Sequence, residues 1–369
     1  MDASSKPTQR AGRSSVGNAG QLASNIAAWD EFLERTPLGQ FQQSTKWSQI
    51  KARDGWNTQI LPVDPADPAA GGLQLLWKRS RFGNIGYVSK GPVLREETPR
   101  SVELMLGRLT DYAKSHGLRA LILQPPDVSR IGETELRPHG FELNPVPFVI
   151  RSTAMIDLSG GKEVTLHRMN RQVRREVKLA NKQGVMIRFG SREDLPAFFD
   201  LMLASCRRQG ATPNPSRLEL LEALWDAFQP KVWLGLATLG GELTSGLFMI
   251  GHGRRMTFWK KGWNRLAKNS YANCLLNVEA ISHAQNLGYS SVDFAGVNPQ
   301  IAETLISGKE LSPEQLRSRD MFNLRLGAVP HLLPPARLLI INPVLRTAFH
   351  LGRKLPPIEK WLMQKMGVG

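Results

Sequence analysis

Between residues 243 and 296 the period of the hydrophobic pattern changes twice. LTSGLFMIGHG is a near-continuous apolar run ending in Gly-His-Gly, and the aromatic-rich RMTFWKKGW follows at hairpin distance, so two adjoining strands are predicted. WNRLAKNS reads as a loop. Beyond it Leu275, Val278, Ile281 and Ala284 recur at a spacing of three, and Leu276, Ala280 and Ala284 at a spacing of four. Together they make one wide apolar stripe and predict a helix. Gly288 sits where a left-handed C-cap belongs, and SSVDFAGV closes the unit as a buried strand.

The same order of elements occurs earlier. LQLLWKRS and NIGYVSKGPV read as strands, a helix is predicted over about 100–116, and RALILQPP follows as a strand. The joints YAKSHGLRALIL and HAQNLGYSSVDF match at Ala113/Ala284 and Gly117/Gly288. We read this as an internal duplication of one α/β unit. It predicts a shared strand order for residues 58–126 and 231–296.

Around these units, IAAWDEFLERT predicts a short helix with Trp29, Phe32 and Leu33 on one face. In GQFQQSTKWSQIKARDGW, Trp47, Ile50 and Lys51 fall within one turn and Trp56 opens a strand. TAMIDL, VMIRF and KVWLGLATL are further predicted strands. Residues 163–183 predict one amphipathic helix, with Leu166, Met169, Val173, Val177 and Ala180 on its apolar face. Arg168, Arg171, Arg175, Lys178 and Lys182 form its basic stripe. Ser191 and Asp194 are spaced as a capping box for the next helix, and another is predicted over 216–228. Residues 297–320 read as a loop of mixed charge and residues 1–20 as disordered.

A chain of 369 residues favours two domains, and 41% hydrophobic residues support a sizeable core. Its 48 Lys and Arg against 32 Asp and Glu give a net charge of +16, a surface that should attract phosphates, nucleic acid or an anionic leaflet. Cys206 and Cys274 lie in helical patterns without metal-ligand spacing, which argues against a disulfide framework or a zinc site and fits a reducing compartment. The N-terminus lacks the apolar core of a signal peptide, and no run approaches the ~18 apolar residues of a membrane span, so a cytoplasmic location is expected. Near the C-terminus Trp361 is flanked by Lys360 and Lys365, with Arg346, Arg353 and Lys354 upstream. This tail reads either as an interfacial helix touching the inner face of a membrane or as a segment packed on the first domain.

No GxSxG, HExxH, Walker loop or GxGxxG is present. His252, in a hairpin turn, and His283, in a helix, read as structural. The site is therefore expected to work by positioning substrates. Lys51, Lys90, Arg207, Arg208, Lys260 and Lys261 stand at element ends near aromatics or glycines and are candidates for anion contacts, a solvated charge being the alternative for each. The basic stripe of 163–183 is a solvated face or a track for phosphates. The pattern of elements suggests tandem GNAT-type acyltransferase domains. However, the joint WNRLAKNSYAN lacks the glycine pair whose backbone N–H groups would hold the pyrophosphate of acyl-CoA, leaving Arg265 and Lys268 to meet an anion there.

In the order GQFQQSTKWSQIKARDGW, VSKGPV, RMNRQVRREVKLANKQGV, LMLASCRRQG and LGYSSVDFAGV, the chain resembles the FemA/FemB/FemX family of peptidoglycan interpeptide-bridge aminoacyltransferases. The resemblance runs from about residue 29 to about residue 327. It implies a mixed α/β fold of two tandem GNAT-like domains: the first over 21–150 and completed by about 321–369, the second over 151–320, without the coiled-coil arm of some members. It also implies roles. Lys51 and Arg208 match the pair that binds precursor phosphates and should face one cleft. Tyr271 matches an aromatic at the start of the core helix. Asp293 and Arg325 match the catalytic positions, Arg325 standing where the family usually has a lysine near the transferred acyl group. Lys90 and Lys260 remain substrate-binding candidates. Where some members carry an acid after the first-unit strand, this chain has Gln124-Pro125-Pro126, and Asp127 comes two residues late.

The activity so implied is transfer of an amino acid from aminoacyl-tRNA to an amine on the peptide stem of a nucleotide- or lipid-linked peptidoglycan precursor. Neither a resident cofactor nor a metal is expected; acyl-CoA is the other donor considered. An N-acyltransferase of surface polysaccharide or lipid modification, and a non-catalytic polyanion-binding protein, are the alternatives.

Overall fold

The structure, a computed structural model, describes residues 26–80, 83–143 and 149–352. Two mixed sheets organise the chain. In the first, Asn57–Pro62, Gly71–Ser80 and Gly83–Ser89 form an antiparallel meander. Helix Pro99–Ser115 then carries the chain to Leu118–Gln124, parallel to Gly83–Ser89. In the second, Val232–Leu239, Glu242–His252 and Arg255–Trp263 form the meander. Helix Ala272–Asn286 leads to Ser291–Asp293, parallel to Arg255–Trp263. Residues 58–126 and 231–296 thus share one strand order, as the matched joints predict. An antiparallel strand lies beyond each parallel pair, Arg337–Ile340 in the first sheet and Ser152–Asp157 in the second. Val329–Leu332 pairs with Ser152–Asp157, so the returning chain visits both sheets in turn.

The helices form where the apolar stripes demand. Thr98 caps helix Pro99–Ser115, which buries Val102, Met105, Leu106, Leu109 and Ala113 against Leu121 and Leu123 of the first sheet. Helix Ala272–Asn286 is apolar nearly all round because it lies between the second sheet and helix Arg171–Lys182. On the other face of that sheet, Phe198, Met202, Leu221 and Leu224 join Phe41 and Ile50, which come from the N-terminal part of the chain.

Three local expectations are corrected. Residues 163–183 are two helices, Gly161–Arg168 and Arg171–Lys182. Met169 is extended and buried between them, and the Asn170 side chain accepts from Gln172 N as a fresh N-cap. The WNRLAKNS loop contains a helical turn, Arg265–Ser270. Residues 297–320 hold two short helices, Pro299–Ile306 and Pro313–Leu316, each opened by an Asn or Ser cap followed by proline. Ser191 and Asp194 make the reciprocal cap, but the first turn, Arg192–Asp194, is 3-10. Residues 1–20 and the tail with Trp361 lie outside the described residues. Among those described, no helix is long and apolar enough to cross a membrane.

Candidate active site

A polar cavity of about 90 Å³ lies where the two sheets meet, bordered by Gln42, Lys90, Asp127, His252, Arg255 and Asp293 among others. Its wall begins with residues 39–44, which are tied to both sheets. Trp29 Nε1 donates to Gln43 O (3.0 Å), Gln43 Nε2 donates to Ser89 O (2.6 Å), and Gln43 Oε1 accepts from Gln74 N (2.7 Å). A side chain at Gly91 would come within 2.8 Å of the Gln43 amide, so glycine leaves that glutamine its place. From the same segment Phe41 packs edge-on against Phe228 and Trp47 of the second sheet's far layer, and Trp47 against Trp259.

Four charges of alternating sign cross the cavity. Lys90 Nζ lies 2.5 Å from Asp127 Oδ1, and Arg255 Nη1 lies 2.5 Å from Asp127 Oδ2 and 3.4 Å from Asp293 Oδ2. Asp293 Oδ1 also accepts from Thr153 Oγ1 and from Ala295 N (2.5 and 2.8 Å). Burial alone would raise the Asp127 carboxyl, but Lys90 and Arg255 outweigh it and hold its pKa at about 2. Lys90 and Ala295 both adopt left-handed backbone, with φ of 59° and 56°. Non-glycine residues hold such angles only where their surroundings impose them. Asp127, two residues later than the expected acid, reaches the cavity from the turn that Ser129 N closes on Pro126 O. Both carboxylates are held by cations and donors, which fixes their geometry.

The remaining predicted residues lie in other surroundings. Lys51 rests over Trp47 and Trp56, 5.3 and 5.8 Å from the ring centres, and 3.6 Å from Asp54. Burial lowers its pKa, Asp54 raises it, and Lys78 lowers it further. Lys260 lies over Trp259 at 4.7 Å; burial lowers its pKa to about 8, with Cys206 raising and Lys51 lowering it. Lys51 and Lys260 thus lie over adjoining rings, since Trp47 packs edge-on against Trp259. Arg208 lies against Trp263, its guanidinium carbon 4.6 Å from the ring centre, and donates to Trp263 O and Ser205 Oγ. Tyr271 joins helices Arg265–Ser270 and Ala272–Asn286 in left-handed backbone (φ 57°) and packs on the core. Arg325 lies 3.6 Å from Glu176, beside Cys274, with its Nε buried and unpartnered. Of the predicted residues, the cavity brings together Lys90 and Asp293.

The pairing of Arg255–Trp263 with Ser291–Asp293 ends at Thr257↔Asp293. Lys261 stands beyond that point, among the rings of Phe258, Phe294 and Phe322, with Asn323 Oδ1 at 3.2 Å. Burial without an acidic partner takes its pKa down to about 7.

Residues 25–139 match the FemAB family, and residues 167–300 match the acetyltransferase (GNAT) domain. The N-terminal part of the chain thus matches the FemAB family, and the middle of the chain the GNAT domain. Over 215 residues it is 26% identical to the lipid II:glycine glycyltransferase of Staphylococcus saprophyticus subsp. saprophyticus, which covers 55% of this chain and 51% of that one. The chain thus spans about half the length of the curated relatives it matches. The FemX crystal structure superposes with a TM-score of 0.74 at 17% identity, over 88% of this chain and 98% of that one. A tandem GNAT protein of the clavulanic acid biosynthesis pathway gives 0.50 at 11%, over 86% and 94%. The fold is accordingly a pair of GNAT-like units, as the resemblance implied.

Sequence reasoning passed over Glu34, Gln42, His252 and Arg255. Arg255 opens the aromatic strand and pairs across the hairpin with His252. That register was the available signal: the Gly-His-Gly turn places both side chains at one end of the sheet.

Proposed function

We propose that this protein is an aminoacyltransferase that moves an amino acid from aminoacyl-tRNA to an amine on the peptide stem of a peptidoglycan precursor. Its relatives' designation as lipid II:glycine glycyltransferases supports the reading, together with the FemAB and GNAT matches. The observation that carries it is the cavity at the meeting of the two sheets. There, substrate groups from either side converge on fixed charges, and positioning of this kind supplies much of the rate of an acyl transfer. The cations Lys51 and Lys260 suit the precursor's phosphates. A positioned cation or backbone donor stabilises the oxyanion of the tetrahedral intermediate.

The acyl-CoA alternative is disfavoured at the joint before the core helix. A helical turn, Arg265–Ser270, stands where a glycine loop would offer free N–H groups to a pyrophosphate. The test is to incubate the protein with charged tRNA or acetyl-CoA, together with nucleotide-linked or lipid-linked stem pentapeptide. A mass gain of one amino-acid residue, dependent on charged tRNA, is expected. Transfer of an acetyl group from acetyl-CoA, with none from tRNA, would overturn the reading.

A further inference from the structure

Two polar atoms at the cavity have nothing to bind. His252 Nε2 and Gln42 Oε1 are buried without a hydrogen-bond partner, although both residues border the cavity. Orphaned buried acceptors are costly and mark a place where a partner is missing. The rest of the histidine is tightly built. Its Nδ1 lies 3.4 Å from Glu34 Oε1. Glu34 Oε2 in turn accepts from Gly253 N (2.6 Å) and lies 3.0 Å from Lys231 Nζ. Gly253 has a φ of 52°, and a side chain there would press on the Glu34 carbonyl at 3.1 Å. The hairpin tip therefore docks on the end of helix 26–35 only because residue 253 is glycine.

The Glu34 carboxylate 3.4 Å from Nδ1 favours the tautomer with the proton on Nδ1 and the lone pair on the unpartnered Nε2. Burial lowers the ring's pKa, Glu34 raises it, Lys231 lowers it, and Asp30 and the Leu33 backbone carbonyl raise it, the net being a lowering. Arg255, its cross-strand neighbour, is bound to Asp127 and Asp293. Both residues line one cavity and both orphan atoms can accept, so the missing partner is a donor seated there, such as a primary amine.

We propose that Gln42 and His252 receive the substrate's nucleophilic amine, and that His252, held by Glu34, takes the proton this amine gives up. This rests on the aminoacyl-transfer reading and supplies a base, a role for which Asp127, held at about 2, is unsuited. The neutral amine attacks the ester carbonyl of the charged tRNA, forming the C–N bond. One N–H proton then passes to Nε2. When the intermediate collapses, the C–O bond to the ribose breaks and that oxygen takes the proton back from the imidazolium. A base of lowered pKa suits both halves: it need not strip a free alkylammonium, and its protonated form is a ready acid.

The test combines a spectrum with kinetics on the full-length protein. With ¹⁵N-labelled histidine, His252 should show an unprotonated Nε2 at neutral pH. Its resonance should move on adding nucleotide-linked stem pentapeptide, and not on adding the same molecule with its amine acetylated. His252→Gln should lower kcat about 100- to 1,000-fold with KM and thermal midpoint little changed. It should also abolish the acid limb of the kcat profile. A proton on Nε2, or pentapeptide bound with the Nε2 signal unmoved, overturns the inference alone. Failure of the pentapeptide to bind, seen by calorimetry, removes the functional reading and the inference with it.

Discussion

Lys90 and Lys261 are both drawn into the interior, and their surroundings are opposites. Lys90 faces Asp127, which faces Arg255, which faces Asp293, so charge is matched along the whole row. Lys261 meets three aromatic rings and an amide oxygen, with no carboxylate. The consequences diverge. In the paired row the shifted group is an acid, Asp127, held at about 2, far from neutrality. In the aromatic setting the lysine itself falls to about 7 and changes charge under working conditions. A matched row locks two sheets together; an unmatched cation is poised for a proton or an anion.

The largest expected effect comes from breaking the row. Asp127→Ala strands Lys90 and Arg255 in a buried site, and loss of one partner of a buried pair typically costs about 3–5 kcal/mol. Urea unfolding at pH 7 should show it, and a loss below about 1 kcal/mol would contradict a locking role. The pH dependence has a definite sign. The folded carboxyl lies below its ordinary value of 3.8, so its stabilisation is present above pH 3.8 and is lost as pH falls toward 2. Asp127→Ala should lack that acid-side loss.

Lys261→Met should act in the other direction. The folded ammonium has a pKa of about 7 against an ordinary 10.5, so the unfolded chain holds more protons between these values and stability rises with pH across them. Met keeps the stem's volume and removes the charge. The variant should lose the alkaline rise and gain on the order of 1–2 kcal/mol at pH 6. Unfolding curves at pH 6 and 9 check this; identical slopes for both proteins would show that Lys261 is not the titrating group.

Lys260→Met should be milder. Lys51 is its neighbour, and removing one of two like charges lets the other hold its proton more firmly. Fold stability should change by less than about 1 kcal/mol. Affinity for a nucleotide-linked precursor should fall several-fold, with a shallower salt dependence, if the two lysines share its phosphates. Unchanged affinity at low salt would remove Lys260 from the site.

How much of this was legible in the sequence depends on distance along the chain. The strand order was readable because the helix-Gly-strand joints at Gly117 and Gly288 are local, and so were the stripes of helices Pro99–Ser115 and Ala272–Asn286. The break at Met169–Asn170 was missed because the stripe runs through it unbroken; the cap at Asn170 was the competing signal. The cavity was largely illegible. Its members come from residues 39–42, 90, 127, 150–153, 252–259, 293–295 and 333, and no local period links them. Asp127 looked displaced because a count along the chain does not show the turn, Pro126 to Ser129, that carries it into the cavity. His252 looked structural because its partner, Glu34, is 218 residues away, a separation no pattern reports.

The smallest expected effect tests a third setting for a cation, neither paired nor enclosed. Arg208 is exposed, and its guanidinium lies over Trp263 while donating to Ser205 Oγ (3.0 Å) and to the Trp263 carbonyl. The contact is fixed from below: a side chain at Gly262 would strike Met202 N at 2.7 Å, so glycine lets helix Leu195–Gln209 ride close on the strand. A lysine at 208 keeps the charge but has no planar face to stack and no fork to reach two acceptors. At an exposed site the cation–π contribution is about 0.5–1 kcal/mol. Arg208→Lys should therefore cost about that much in urea unfolding, and a double-mutant cycle with Trp263→Leu should return most of it as coupling. Should the cycle give no coupling, Arg208 is held by its carbonyl and hydroxyl partners alone. Its guanidinium would then be free to leave Trp263 for a substrate phosphate, and Arg208→Lys should appear in KM for the precursor and not in stability.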